Sequence, residues 1–228
     1  MMFDESSCAS DKKLANFSKY VRRQNIARFM AQTEIFKLQL PVKGSIVECG
    51  VHHGGGVMTW AKLSSTLEPY NYHRKIIGFD TFEGFPDVAP IDVVHRPEVK
   101  AGMFAEAYDI YEELVSCIRE YDENRFLNHV PKIELVRGDA NLTIPAFVER
   151  NPHLLVSLLY LDFDIYEPTV TALKTLVPRM PKGAILAFDE VNNPHWPGET
   201  KALLEQLNIR DCALRCFEYE PNISYLVL

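Results

Sequence analysis

The sequence predicts an α/β fold: a doubly wound, mostly parallel seven-stranded sheet, with an N-terminal helical appendage and a C-terminal antiparallel hairpin. Three observations carry this reading. Short apolar runs, each closing near an acidic residue, alternate with stretches of helical periodicity, as parallel strands buried on both faces do. The first of these runs opens into a glycine cluster, which suits a buried strand and a tight turn into a helix. The last two strand-like runs are joined by a link too short for a crossover helix, so they pair antiparallel.

The elements follow in order. Within 18–40, Ile26, Phe29, Met30, Ile35, Phe36 and Leu38 recur at helical spacing between Arg22, Arg23, Arg28 and Lys37. Residues 1–40 therefore read as a helical appendage to a domain spanning 41–228. The run 45–50 is the first strand, and a helix follows over about 57–66. The second and third strands are 75–79, ending at Asp80, and 132–136, ending at Arg137-Gly138-Asp139. Between them lies an unpatterned stretch, about 84–104, then a helix over 105–121. A connection this long in a compact domain reads as a lid-like insertion. Strands at 154–161, ending at Asp162, and 184–188, ending at Asp189, flank a helix over 167–180. The runs 212–219 and 223–228, linked by Glu220-Pro221-Asn222, make the hairpin.

At 228 residues the chain is one domain with a small appendage, and its 47% apolar and 24% charged residues match soluble globular proteins. A formal charge of −7 removes the electrostatic drive toward nucleic acid. No apolar stretch reaches the ~20 residues of a spanning helix, and no secretory pattern opens the chain. The expectation is a cytoplasmic homo-oligomer with no membrane or nucleic-acid partner. Five scattered cysteines fit unpaired thiols and make no zinc pattern.

In a doubly wound sheet, ligands bind beyond the carboxyl ends of the strands, where the acidic residues fall. The turn Glu48-Cys49-Gly50-Val51-His52-His53-Gly54-Gly55-Gly56 lacks the G-x-G-x-x-G spacing of a dinucleotide site. Glu48 would repel a diphosphate but suits the cationic amino-acid end of S-adenosylmethionine (SAM), with Gly50, Gly54 and Gly55 admitting close backbone approach. Asp80 could accept both ribose hydroxyls and Asp139 the exocyclic amine of adenine; each also suits a cap or turn. A parallel sheet finished by an antiparallel hairpin is the arrangement of SAM methyltransferases, an analogy of fold alone.

The sharpest signal is the pair of clusters Asp162-Phe163-Asp164 and Asp189-Glu190, separated by one helix and one strand. On neighbouring parallel strands, about 4.8 Å apart, these carboxylates would repel one another unless a cation neutralised them. All-oxygen donors favour Mg²⁺, Mn²⁺ or Ca²⁺ over zinc. The alternative has Asp164 and Glu190 turned outward as helix caps. His195, between two prolines in Asn193-Pro194-His195-Trp196-Pro197, is either a general base beside the metal or a surface histidine. His52 and His53 receive no catalytic role. P-loop, nucleophile-elbow and H-E-x-x-H motifs are absent.

Three strings, Ile46-Val47-Glu48-Cys49-Gly50-Val51, Gly78-Phe79-Asp80-Thr81-Phe82-Glu83-Gly84-Phe85-Pro86 and Leu161-Asp162-Phe163-Asp164-Ile165-Tyr166-Glu167-Pro168-Thr169, resemble the macrocin O-methyltransferase family. A fourth, Pro178-Arg179-Met180-Pro181-Lys182-Gly183, extends the likeness, which runs from about residue 17 onward. The resemblance implies a SAM- and Mg²⁺-dependent enzyme that methylates a sugar hydroxyl of a nucleotide-linked deoxysugar or glycosylated natural product. By position, Glu48, Asp80 and Asp139 would hold SAM, with Gly50, Gly54, Gly55, Phe82 and Ala140 beside it. Asp162, Asp189 and Glu190 would bind the metal, although the family usually has Asp-Asp where this chain has Asp189-Glu190. Asp162 or His195 would take the proton. Tyr20, Arg22, Arg23 and the loop after Pro86 would close over the acceptor. Methylation of a catechol-like phenol, or non-catalytic nucleotide or sugar binding, are the competing readings.

Overall fold

In the computed structural model, which describes residues 2–228, seven strands form one sheet. They are β1 (Ser45–Cys49), β2 (Ile76–Asp80), β3 (Ile133–Arg137), β4 (Val156–Leu161), β5 (Ile185–Phe188), β6 (Arg215–Phe217) and β7 (Glu220–Val227). Their order is β3-β2-β1-β4-β5-β7-β6, with β1 to β5 parallel and β7 antiparallel to both its neighbours. The expected doubly wound sheet and closing hairpin are present, and β4 and β5 are adjacent.

The helices are α1 (Met2–Glu5), α2 (Ser10–Ala15), α3 (Arg23–Gln39), α4 (Gly55–Leu67), α5 (Ile110–Glu123), α6 (Ala140–Arg150), α7 (Tyr166–Leu176) and α8 (Pro197–Gln206). Successive strand residues face opposite sides, so continuous apolar runs supply two cores. On one side Val47, Leu159, Leu161 and Phe188 pack under α6, α7 and α8. On the other Ile46, Leu158, Tyr160 and Ala187 pack under α3, α4 and α5. Each fully buried Val, Leu, Ile or Phe among them contributes about 1.5–3 kcal/mol. Among the described residues no helix is long and apolar enough to cross a membrane.

The appendage is fastened to this body. Ala31, Ile35 and Phe36 of α3 are fully buried. Buried Arg74 donates to Gln39 Oε1 and Ser157 Oγ, each at 2.5 Å, and to the carbonyls of Leu40, Val42 and Gly44.

Several boundaries differ from the sequence reading. The first long helix starts at Arg23, after a separate 3₁₀ turn at Phe17–Lys19. The helix expected from 105 begins at Ile110, because Asp109 caps it by accepting the Glu112 N–H at 3.1 Å. The hairpin turns at Glu218 and Tyr219, and Pro221 lies inside β7. That is tolerated because β7 pairs with β5 only from Ser224 onward, so no β5 carbonyl needs a donor at Pro221. Helices α6 and α8 were not expected from periodicity, which Pro145 interrupts in the first and a Pro/Asn-rich approach obscures in the second.

Candidate active site

The chain passes from β1 outward to β2 and β3, then returns to β4 beside β1 and proceeds the other way. The crevice at this reversal is where α/β sheets bind ligands. Two cavities open there. One, of about 170 Å³, is lined by Asp80, Phe82, Gly138, Ala140 and Ile165 among others. The second, of about 490 Å³, lies against α3 and is lined by Arg28, Gln32, Glu48, Gly55 and Thr59 among others. Gly50, His52 and Asp162 line both.

Gly50 sets the close approach of the two loops at this junction. Its φ is +87°, and a Cβ there would lie 1.9 Å from the Asp162 carbonyl oxygen, so no side chain fits. Asp80 fastens the same loop: Oδ2 accepts the His52 N–H at 2.8 Å and Oδ1 accepts the Phe82 N–H at 2.6 Å. Each oxygen retains accepting capacity. Non-glycine residues His52, Phe82 and Asp164 all have left-handed φ, at 47°, 57° and 63°, a conformation costing about 1–3 kcal/mol each that clusters at functional sites.

Glu48 is 2% exposed and accepts Trp60 Nε1–H at 2.5 Å. Burial pushes its pKa up to about 8, against the pull of the Trp60 bond and of Arg28. It faces the second cavity, not the first. Asp139 is the N-cap of α6, accepting the Asn141 N–H at 2.9 Å, and its neighbours Gly138 and Ala140 line the first cavity. Buried Phe82 meets Tyr111 edge-on at 5.2 Å.

The carboxylates at the ends of β4 and β5 converge on a cation that sequence reading missed. Arg28 Nη2 lies 2.8 Å from Asp162 Oδ2 and Nη1 lies 2.6 Å from Asp189 Oδ1, which also accepts Tyr160 Oη–H at 2.7 Å. Burial, and then the charge of Asp189, raise the pKa of Asp162 well above the carboxylate range; burial and Glu190 push Asp164 to about 7. Glu190 instead accepts from the Asn193 side-chain amide. Fully buried Glu199 joins the two strand ends, accepting the N–H of Phe163 at 3.2 Å and of Glu190 at 3.0 Å. Signals for both existed: Arg28 and Gln32 are spaced i,i+4 beside the apolar stripe of α3, and Glu199 sits in the first turn after Pro197.

The insertion lines the first cavity with its two ends, through Gly84, Phe85, Pro86 and Phe104. Phe85 and Met103 close its neck, the Phe85 N–H donating to the Met103 carbonyl at 3.0 Å and the Gly102 N–H to the Phe85 carbonyl at 2.8 Å. Asp92, 1% exposed, accepts the Tyr166 N–H at 3.0 Å and the Ala89 N–H at 2.9 Å. Trp196 packs against Phe85 and Phe104 and under the Arg96 guanidinium. His195 is exposed and lines neither cavity, and its backbone N–H donates to Asn193 Oδ1 at 2.9 Å. Among the described residues, the group of three whose ligand atoms all approach within 4.8 Å is His52, His53 and Glu106. Asp162, Asp189 and Glu190 do not form such a group in this conformation.

Comparison with known proteins agrees with this architecture. The family pattern of macrocin O-methyltransferase (TylF) matches residues 18–204. The structure of CalS11, a calicheamicin methyltransferase, superposes with a TM-score of 0.95 at 35% identity, covering 99% of this chain and 88% of that one. The apo structure of CalS11, described as a TDP-rhamnose 3'-O-methyltransferase of calicheamicin biosynthesis, gives 0.85 at 31%, covering 99% and 89%. The O-methyltransferase NovP shares the fold, with a TM-score of 0.67 at 20% identity over 89% of this chain and 79% of NovP. Mycinamicin III 3''-O-methyltransferase of Micromonospora griseorubida is 24% identical over 150 residues, 65% of this chain; the match spans 56% of that relative's length. On the extent of the family match and the likeness to CalS11, this chain belongs to the macrocin O-methyltransferase family.

Proposed function

We propose that this protein transfers the methyl group of SAM to a hydroxyl of a sugar carried on a nucleotide or a glycosylated natural product. The observation that carries the reading is the pair of cavities meeting at Gly50, His52 and Asp162. The nucleoside of SAM suits the first, with its ribose at Asp80 and its base near Gly138 and Ala140. The methionine end crosses Gly50 toward Glu48, whose carboxylate is the natural partner of an ammonium group. This brings the sulfonium to the junction, facing an acceptor in the second cavity. CalS11, the neighbour described as acting on TDP-rhamnose, supports a nucleotide sugar as acceptor.

Asp162 borders both cavities, which sets its carboxylate where the hydroxyl proton must be taken as the oxygen attacks the methyl group. Holding both reactants along one line supplies much of the acceleration. The docked insertion excludes water from the transfer. A divalent cation fits part of this donor set: Asp162 and Asp189 already direct one oxygen each at a single positive group, and all donors are hard oxygens. Glu190 would have to leave Asn193 to join them. When bound, such an ion would lower the pKa of the acceptor hydroxyl.

The test is methyl transfer from labelled SAM to a panel of nucleotide sugars, glycosides and catechols, with and without EDTA. Product on a sugar hydroxyl is expected, lost on chelation and restored by Mg²⁺ while SAM affinity stays nearly constant. Transfer to catechols alone would overturn the sugar assignment, and full turnover in EDTA the metal assignment.

A further inference from the structure

The two carboxylates assigned to the metal are occupied by a side chain of this chain itself. The Arg28 guanidinium spans them, one nitrogen to each, at 2.6 and 2.8 Å. Asp189 is largely shut off from water, its side chain 8% exposed, so the pair needs a cation close at hand. A guanidinium and a divalent ion cannot both use these inner oxygens, because their charges repel and the positions overlap. Arg28 has somewhere to go: its side chain is 37% exposed and lines the second cavity. The helix need not move with it, since Ala27 and Ala31, on either side in the sequence, are buried and hold α3 in place.

We propose that Arg28 is a tethered counter-ion that competes with the divalent cation for Asp162 and Asp189, so that metal binding requires the guanidinium to swing into the second cavity. This rests on the metal reading given above. It assigns a role to the N-terminal helix: α3 closes the carboxylate site with its own charge until the metal arrives, then presents that charge to the acceptor. A guanidinium released there faces the space in which the phosphates of a nucleotide sugar would lie.

The experiment is Mn²⁺ binding to the cofactor-free protein, followed by the EPR signal of the free ion, for wild type, Arg28→Met, Arg28→Lys and Asp189→Asn. Removing the competitor should tighten Mn²⁺ binding about tenfold or more in Arg28→Met, the size expected when a charge-assisted pair no longer opposes the ion. Arg28→Lys, which keeps the charge but cannot span both carboxylates, should fall between, and Asp189→Asn should weaken binding. Equal or weaker Mn²⁺ binding in Arg28→Met would overturn the competition while leaving the metal site standing. No Mn²⁺ binding by wild type or either Arg28 variant would overturn both. Should Arg28→Met not fold, the wild-type protein still decides: the ¹⁵Nε–H resonance of Arg28 must shift on saturation with Mg²⁺, and an unmoved resonance at saturation refutes displacement.

Discussion

Glu199 accepts the backbone N–H of Glu190 at 3.0 Å through one carboxylate oxygen, while its other oxygen takes the N–H of Phe163. One buried side chain of α8 thus fixes the loops that follow β4 and β5, and with them the relative placement of Asp162 and Asp189. Burial, and then the charge of Asp164, raise its pKa well above the ordinary value. Glu199→Gln must turn an amide NH₂ toward one of the two N–H groups. The expected cost is about 2–4 kcal/mol of stability, read by urea unfolding, with a larger loss in kcat than in SAM affinity. A variant as stable and as active as wild type would show that Glu199 positions nothing.

Glu48 makes stability depend on pH. Its folded pKa of about 8 lies above the ordinary 4.5, so the folded state holds a proton that the unfolded state has released. The associated stability is complete below pH 4.5 and is lost as pH rises toward 8. Relative to Glu48→Gln, the wild-type protein should lose as much as about 4 kcal/mol across that window. Denaturant melts of both proteins at pH 5, 6.5 and 8 test this; parallel curves would place Glu48 in a more hydrated setting. SAM binding at pH 7 should also release a proton, detectable by calorimetry in buffers of different ionisation enthalpy, because the cofactor ammonium favours the carboxylate.

Gly50→Ala and Gly55→Ala should behave oppositely. At Gly50 the new Cβ collides with the Asp162 backbone at a φ of +87°, and a loss of at least about 3 kcal/mol or failure to fold is expected. At Gly55, the first residue of α4, nothing lies within 4 Å of a Cβ. There alanine should leave stability unchanged or raise it by up to about 1 kcal/mol. If SAM approaches the backbone at Gly55, that variant will nevertheless bind the cofactor more weakly. Thermal melts with calorimetry separate the two effects.

Asp92 is the main polar tie between the insertion and α7. Asp92→Ala should leave the sheet intact but expose 86–101 to proteases, raising cleavage there severalfold over wild type. Saturating SAM plus acceptor should restore part of the protection if the insertion closes on ligand. Unchanged proteolysis would mean that the Phe85, Phe104 and Trp196 packing holds the loop unaided.

The sheet was legible because parallel strands buried on both faces announce themselves as short apolar runs, and each acidic strand end marked the crevice edge. β1 to β5 lie within a residue or two of the expected runs, and β4 and β5, separated by a single helix, are adjacent, the condition on which the carboxylate reading rested. Helices α6 and α8 escaped because prolines break the periodicity, although Asp139 as cap and Pro197 as first residue were visible starts. Within the site, spacing could assemble residues that leave neighbouring strand ends. Spacing marked Arg28 and Glu199 as polar residues on their helices but not their partners: Arg28 reaches Asp189 across 161 positions, and the partners of Glu199 and Asp92 are backbone N–H groups with no residue-type signature. His195, six positions after Asp189 in sequence, lines neither cavity.

The paired backbone bonds between Phe85 and residues 102 and 103 mean that the segment between them begins and ends at one point. Lengthening such a segment changes the closure entropy only slowly, by about 0.6 kcal/mol for each doubling. The stretch is held at its base by the Phe85 clasp and at its far side by Asp92. Replacing the stretch between the two fastenings should therefore change stability mainly through the buried contacts it carries, which urea unfolding would read.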